Sequence, residues 1–537
     1  MIIPNSFKCL VSFINTAFPC YSCAFFICYN CNYSAIEQKD FTKFLKILRF
    51  LRRYCLYYNR MQPLTREQII SLCQSQPAAM ADAFLALAAQ MTELQARLKA
   101  LEDRFAQDSH NSHQPPSRDR AARPRPKSLR RASGKKAGGQ IGHEGTTLQP
   151  VEKPDHIVVH KAERCQNCQQ SLNAVATRDY DKRQVFDLPP LRLEVTEHQA
   201  EIKACPHCHQ ITAAAFPDEV THATQYGERF KALSVYLNTY QLLPCERTAE
   251  FFQDVFSHGV SAGSVVNFNH DCFAALADYA QVTKAKITAA PQAHFDETGI
   301  KINGQLHWLH VAATPELTYY ACHEKRGQEA MDAIGILPNF KGTAIHDHWA
   351  AYQHYACQHA LCNAHHLRDL TFIEEQYQQQ WAKPMRDLLL EIKKKADGNQ
   401  IRFNAATLRG FKQKYRRLVK KGFAENPLPA VEAMPKKRGR RKKSKSRNLV
   451  ERFASFADEI LAFALDFNIP FDNNQAERDL RMMKVQQKIS GSFRSRAGAN
   501  VFCRLRGYIS TNRKQGFNVF EALQNVFLQQ SLLPLAS

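Results

Sequence analysis

From Phe84 onward the apolar residues Phe84, Leu87, Met91, Leu94, Leu98, Leu101 and Phe105 recur at alternating spacings of three and four. Polar residues fill the intervals, so a helix built here carries one apolar seam over about three heptads. An isolated helix of that length is marginal in water, which favours pairing with another copy; the alternative is one amphipathic helix packed on its own domain. The periodicity stops near Asp108. Residues 109–150 are rich in Pro, Gly, Ser and Arg, nearly lack large apolar residues, and cannot build a core. Helical patterning returns over 223–280, where ERFKALSVYLNTYQLLPCERTAEFFQDVF precedes GVSAGSVVNFNHDCFAALADYA and Ser261 stands ready to cap a new helix after Gly259. Helix, short turn, helix fits a helix-turn-helix reader of DNA and, equally, a plain helical layer.

Past Ala293 the period shortens to that of strands. AHFDETGIKINGQLHWLHVAAT predicts two strands joined at Asn303–Gly304, a strong hairpin signal. LTYYACHE adds a third, and GTAIHDHWAAY a further strand that ends at Asp347 and turns towards a helix. Asp296 and Asp347 therefore both stand at the ends of predicted strands. Much later, NIPFDNNQAERDLRMMKVQQKISGSFRS places Glu477 near the start of a helix that also carries Arg478, Arg481, Lys484 and Lys488.

Composition alters this picture chiefly through charge. The 537 residues have an ordinary 44 % hydrophobic content but a formal net charge of +22. Such an excess opposes compaction and attracts a polyanion, with nucleic acid the obvious candidate. The charge is clustered. The 109–150 segment reads as a basic arm for phosphates, with a plain linker as the blander reading, and PKKRGRRKKSKSR (435–447) is a second basic run. Of the 17 cysteines, Cys9, Cys20, Cys23, Cys28, Cys31 and Cys55 lie in the first 60 residues, and most others are single. That is no disulfide framework and points to a reducing compartment. Cys9–Ile36 lacks charged residues, but Pro19 and interspersed Asn and Ser interrupt its apolar runs. It also lacks a convincing cleavage site, so neither a membrane helix nor a leader is expected. Residues 1–60 read instead as translated upstream sequence, with the working protein starting near Met61.

Candidate chemistry falls in two places. CQNC (Cys165, Cys168) and CPHC (Cys205, Cys208) are paired knuckles whose four thiolates could close a tetrahedron around Zn²⁺. The intervening RQVFDLPPLRLEVTEHQAEI has strand-like segments, consistent with a small zinc ribbon that depends on its metal; a redox dithiol pair is the alternative. The second place is the set of acids. Cleaving or transferring a DNA phosphodiester with two divalent ions requires converging carboxylates, and hard oxygen ligands favour Mg²⁺ or Mn²⁺. A lone Asp at a strand end is more often a turn residue, so pattern alone gives these acids little weight. Cys362 and His365 in CNAHHLRDL have C-x2-H spacing without an evident second pair, so helix packing or a DNA contact competes with ligation.

The strings NSHQPPSRD, GGQIGHEG, CQNC with CPHC, HFDETG, DHWAAY, CNAHHLRDL, IPFDNNQAERDLRM and KISGSFRSRAGA together resemble the insertion-sequence sixty-six family of transposases, from about residue 65 to 525. The resemblance implies an α/β ribonuclease-H-like catalytic domain with a helical insertion, preceded by a coiled-coil helix, basic arm, small zinc ribbon and helical region. Its implied boundaries are 61–108 for the coiled coil, 109–150 for the arm, 151–215 for the ribbon and 216–292 for the helical region. The catalytic domain would begin at 293–360, be interrupted by the insertion at 361–465, and resume over 466–537. By motif the catalytic acids are Asp296, Asp347 and Glu477, preferred over the rivals Glu297 and Asp472. Arg478, Arg481, Lys484 and Lys488 become candidates for the DNA path. The sequence departs from the family at residues 1–60 and at His113, where a serine is usual.

The implied function is a transposase that binds the terminal inverted repeats of its element and catalyses metal-dependent cleavage and strand transfer. Its partners would be terminal and target double-stranded DNA, further copies of itself and small accessory proteins of the same element. No membrane is expected, and the location would be the bacterial cytoplasm, at the nucleoid. The competing class is a zinc-containing DNA-binding protein without catalysis, or an inactive relic, which would have no need of the three acids.

Overall fold

The structure, a computed structural model, describes residues 70–71, 74–108, 110–112, 148–398, 402–428 and 443–530. Residues 1–60, His113, most of the basic arm and most of the second basic run lie outside the described residues. The chain divides into two units, Met1–Phe105 and Ala106–Ser537. In the first, the heptad pattern forms one long helix, α1 (Pro77–Ala106). Phe84, Leu87, Met91, Leu94, Leu98, Leu101 and Phe105 are all exposed along it.

In the second unit, residues 148–227 are largely irregular. Among the described residues of this unit before 228, the strands are β1 (Ile202–Ala204) and β2 (Ile211–Ala213), an antiparallel hairpin with Ile202 opposite Ala213. The strand-like stretch between the cysteine pairs is otherwise irregular. Val185, Leu188 and Val195 stand in solvent, so no facing layer rewards a sheet there.

Four helices follow: α2 (Glu228–Val235), α3 (Cys245–Phe256), α4 (Ala262–Ala275) and α5 (Ala277–Ala289). Ser261 caps α4 as its position after Gly259 predicts, its hydroxyl accepting from the Ser264 amide at 2.9 Å. Phe252, Val265, Phe268 and Leu276 of this group share one apolar cluster with Leu505 and Leu523 from the C-terminal helices. The helices thus form a layer joined to the far end of the chain.

A five-stranded mixed sheet forms the centre: β3 (Gln292–Ile302), β4 (Gln305–Ala313), β5 (Thr318–His323), β6 (Thr343–His346) and β7 (Gln358–Leu361), in the spatial order β5-β4-β3-β6-β7. The first three form an antiparallel meander, and β6 and β7 run parallel to β3. The β3–β4 turn has φ of 48° at Asn303 and 75° at Gly304, the paired left-handed conformation that a two-residue hairpin demands. Helix α6 (Gln328–Ile334) leads towards β6. At Gly342 a Cβ would lie 2.5 Å from the carbonyl oxygens of Ala290 and Pro291, so only glycine lets β6 enter beside β3.

Between β7 and the last strand-packing helix the chain builds a helical insertion: α7 (Asn363–Tyr377), α8 (Ala382–Asp397), α9 (Ala405–Glu425) and α10 (Lys445–Ser455), then two short helical turns. It has a hydrophobic core of its own around Trp381, Leu389, Tyr415 and Phe453. Its ends meet: the Asn363 amide donates to the Phe471 carbonyl at 3.1 Å. Helices α11 (Asn474–Ser490), α12 (Arg496–Lys514) and α13 (Val519–Phe527) complete the unit. Ala476, Leu480 and Met483 of α11 cover Ile300, Ile302 and Leu309 of the sheet. No described helix is long and apolar enough to cross a membrane.

Candidate active site

Asp296 stands within β3 rather than at its end, but β6 is short, which leaves Asp296 beyond the last β3–β6 pair, His294 with Ile345. Carrying the parallel register forward by two residues brings Asp347, just past β6, level with Asp296. Side chains alternate across a strand. Ala293 and Phe295 enter the cluster on one face of β3, and Ile300 and Ile302 join α11 on the other. Asp296 shares the parity of Ile300 and so faces α11. Glu297 points the opposite way.

That opposite face explains the rival acid. Glu297 is buried, and Arg326 donates to it at 2.7 and 2.9 Å while Tyr352 O–H donates at 2.5 Å. Arg326 also lies over the rings of Trp308 and Trp349, 4.8 and 4.2 Å from their centroids. Burial raises the Glu297 pKa, against the pull of Tyr352 and Arg326. The second rival, Asp472, accepts from the Asn474 amide at 3.1 Å and serves the start of α11.

Burial pushes the Asp296 pKa well above the ordinary aspartate range, and the charges of Glu297, Asp347 and Glu477 push it further. Asp347 is held in a tight turn, accepting from the Trp349 amide at 2.9 Å. Glu477 sits in the first turn of α11. Burial works to raise its pKa, but His365, Arg368 and Arg481 outweigh burial and hold it below the usual range.

Asn473 ties these pieces together, and nothing in the residue pattern marks it beyond its place in DNN. Its side-chain amide donates to the Phe295 carbonyl at 2.8 Å, next to Asp296. Its Oδ1 lies 2.8 Å from His294 Nδ1 across 179 residues of sequence. Its backbone amide donates to Cys362 Sγ at 3.1 Å. Burial pushes the Cys362 thiol up to about 12.

Cys362 and His365 find the third partner that sequence spacing did not reveal. His365 Nε2 is 3.3 Å from Glu477 Oε1. Among the described residues the one group of three or more potential ligands within 4.8 Å of one another is Cys362, His365 and Glu477. Asp296, Asp347 and Glu477 interact electrostatically but do not form so tight a group.

On the outer face of α11, Arg478, Arg481, Lys484 and Lys488 are all exposed. Lys484 is also tethered, donating to the Gly299 carbonyl at 2.8 Å. From the second basic run, Lys443 and Arg447 are engaged with Glu451 at 2.5 and 2.9 Å, so the end of that run is spent on folding α10.

The cysteine knuckles form as two copies of one turn. The Cys165 amide donates to the Gln170 carbonyl and the Gln169 amide to the Cys165 carbonyl, each at 2.9 Å. Cys205, His209 and Gln210 repeat the pattern at 2.9 and 2.8 Å. Gln169 and His209 both take positive φ, at 62° and 54°. Backbone amides of Cys168 and Asn167 aim at the Cys165 sulfur and lower its pKa, and those of Cys208 and His207 do the same for Cys205. Hydrogen bonds to sulfur favour the thiolate that a metal requires. Each pair therefore fits zinc ligation, although the two pairs are not gathered into a single four-sulfur group.

Comparison with known proteins agrees with this layout. Residues 63–149 match a family of unknown function (DUF6444), and residues 162–209, which hold all four knuckle cysteines, match the zinc-finger binding domain of transposase IS66. No curated protein matches the chain. Residues 223–501 match the Transposase IS66 family and take in the sheet, the helical insertion and α11. With just over half its length inside that match, the chain belongs to the IS66 family of transposases.

Proposed function

We propose that this transposase binds the terminal inverted repeats of its element and carries out metal-dependent DNA cleavage and strand transfer through Asp296, Asp347 and Glu477. The observation that carries the reading is the convergence on Asp296. Two adjacent parallel strands and the helix covering them bring three acids of distant sequence together, and Asp347 and Glu477 both raise its pKa. Such crowding disfavours the ionised state unless a cation shares the site. The donors are hard oxygens, which fit Mg²⁺ or Mn²⁺. When bound, a pair of such ions supplies activation of the attacking hydroxyl and stabilisation of the leaving oxygen.

The protein's own groups have distinct duties in this reading. Asp296, Asp347 and Glu477 are the ligands. Asn473 fixes the strand and helix that carry two of them. Arg368 and Arg481 hold Glu477 anionic with His365. Glu297 stays behind the sheet, neutralised by Arg326. Arg478, Arg481 and Lys488 offer exposed cations beside the acids for the phosphate backbone, with Lys484 contributing despite its tether.

We extend the reading to architecture. The mixed sheet, interrupted by a helical insertion before its last acid, supports a ribonuclease-H-like catalytic domain. The two knuckles support a zinc ribbon holding Zn²⁺ through Cys165, Cys168, Cys205 and Cys208. The exposed seam of α1 supports a coiled coil between copies. The test is cleavage and strand transfer on a labelled duplex carrying the element's own end, with Mg²⁺, Mn²⁺ or EDTA. Metal-dependent nicking at the boundary is expected, and Asp347→Asn should abolish it while end binding persists. If both proteins bind the end and neither cuts, even with accessory proteins added, the chain is a DNA-binding protein without catalysis.

A further inference from the structure

The helical insertion begins at Cys362, which precedes the first turn of α7, and His365 lies within that turn. Opposite them is the first turn of α11 with Glu477. We propose that Cys362, His365 and Glu477 bind a thiophilic divalent cation of the zinc class, at a site separate from the knuckles.

Their ligand atoms all lie within 4.8 Å of one another. His365 Nε2 and Glu477 Oε1, 3.3 Å apart, already stand at a separation that suits a tetrahedral ion bonded at about 2.0–2.3 Å. The surroundings suit such an ion. The Asn473 amide donates to Cys362 Sγ at 3.1 Å, the outer hydrogen bond that orients a metal-bound thiolate. Burial keeps the Cys362 thiol protonated without metal, so binding here would release that proton. Sulfur and imidazole select zinc over magnesium. Three protein ligands leave the fourth position open, unlike a structural zinc site.

Glu477 belongs to two sets of ligands. A zinc-class ion drawing on Glu477 withdraws an acid from the carboxylate site, so this ion inhibits cleavage. That consequence rests on the catalytic reading of Glu477, whereas the binding itself does not.

The probe is cobalt(II), which replaces zinc and reports thiolate ligation through a charge-transfer band. The full chain, Cys362→Ala and His365→Gln would be titrated, bound ions counted by dialysis, and difference spectra recorded. Each variant should hold one cobalt fewer than the parent, and the lost spectrum should contain the thiolate band. Cys362 is buried, so His365→Gln, at a half-buried position, guards against a fold-wide cause. Equal cobalt counts with superimposable spectra in both variants would overturn the site. Neither readout involves DNA, so this failure leaves the Asp347→Asn test of catalysis untouched. In Mg²⁺-supported cleavage, added Zn²⁺ should suppress the parent, and His365→Gln should need about tenfold more zinc for the same effect. Cobalt bound at the site without zinc inhibition would overturn the sharing of Glu477.

Discussion

Each cysteine knuckle closes on itself within one turn, whereas the carboxylate site draws on two strands, a long helix and an asparagine 179 residues from its histidine partner. The knuckles are exposed or half-exposed and lie outside the apolar clusters. The carboxylate site sits where the sheet, α11 and the helical insertion meet. A ligand pair fixed by local hydrogen bonds needs no core, while one fixed by packing inherits every weakness of the packing.

Breaking the packing should therefore have the largest effect. Lys514 at the end of α12 donates to Asp479 of α11 at 2.9 Å and to the Thr314 and Leu317 carbonyls at 3.0 Å, with both charged side chains nearly buried. Lys514→Ala strands Asp479 and should cost about 3–5 kcal/mol, read as a lower urea midpoint together with weaker Mg²⁺-dependent cleavage. A melt unchanged from the parent would mean that α11 is not held in this way.

Asp296→Asn should act in the opposite sense on stability. The raised pKa means that the folded chain holds the Asp296 proton more tightly than the unfolded chain does. Its contribution is therefore favourable at low pH and fades as pH rises from the unfolded aspartate value through the folded one. Near neutral pH without divalent metal, the variant should melt about 2–4 °C higher while cutting no DNA. That advantage should disappear in acid, and thermal scans from pH 4 to 8 would check it.

Cys205→Ser should have the smallest effect on the fold. On the zinc reading it removes a ligand, so the chain should lose bound zinc by metal analysis. The main unfolding transition should move by less than about 0.5 kcal/mol. A large shift would show that the knuckles are coupled to the core after all.

The same contrast governs what could be read from the residues. The hairpin at Asn303–Gly304, the Ser261 cap and both knuckles were legible because each depends on neighbours in sequence. The strand pattern over 293–347 is legible in the residues, yet the place of Asp296 within its strand, the short β7 and the irregular 183–201 segment depend on what packs alongside. Only the family motif favours Asp296, Asp347 and Glu477, since nothing local separates Asp296 from Glu297. What separates them is the face of β3, visible only once α11 and Arg326 are in place. His365 stands out by its spacing from Cys362, whereas its partner Glu477 lies too far along the chain for spacing to connect them.

The doorway of the helical insertion has one more consequence. Entry and exit are laced together, Asn363 to Phe471 through the backbone and Asn473 to the Cys362 sulfur, and the enclosed helices carry their own core. The entropy of closing a loop grows only slowly with its length, so the contents of this loop scarcely affect how well the doorway shuts. Lineages could therefore lengthen, trim or exchange the enclosed helices as cargo while inheriting the threshold residues intact, and evolution here would proceed by replacing a module rather than remodelling a sheet.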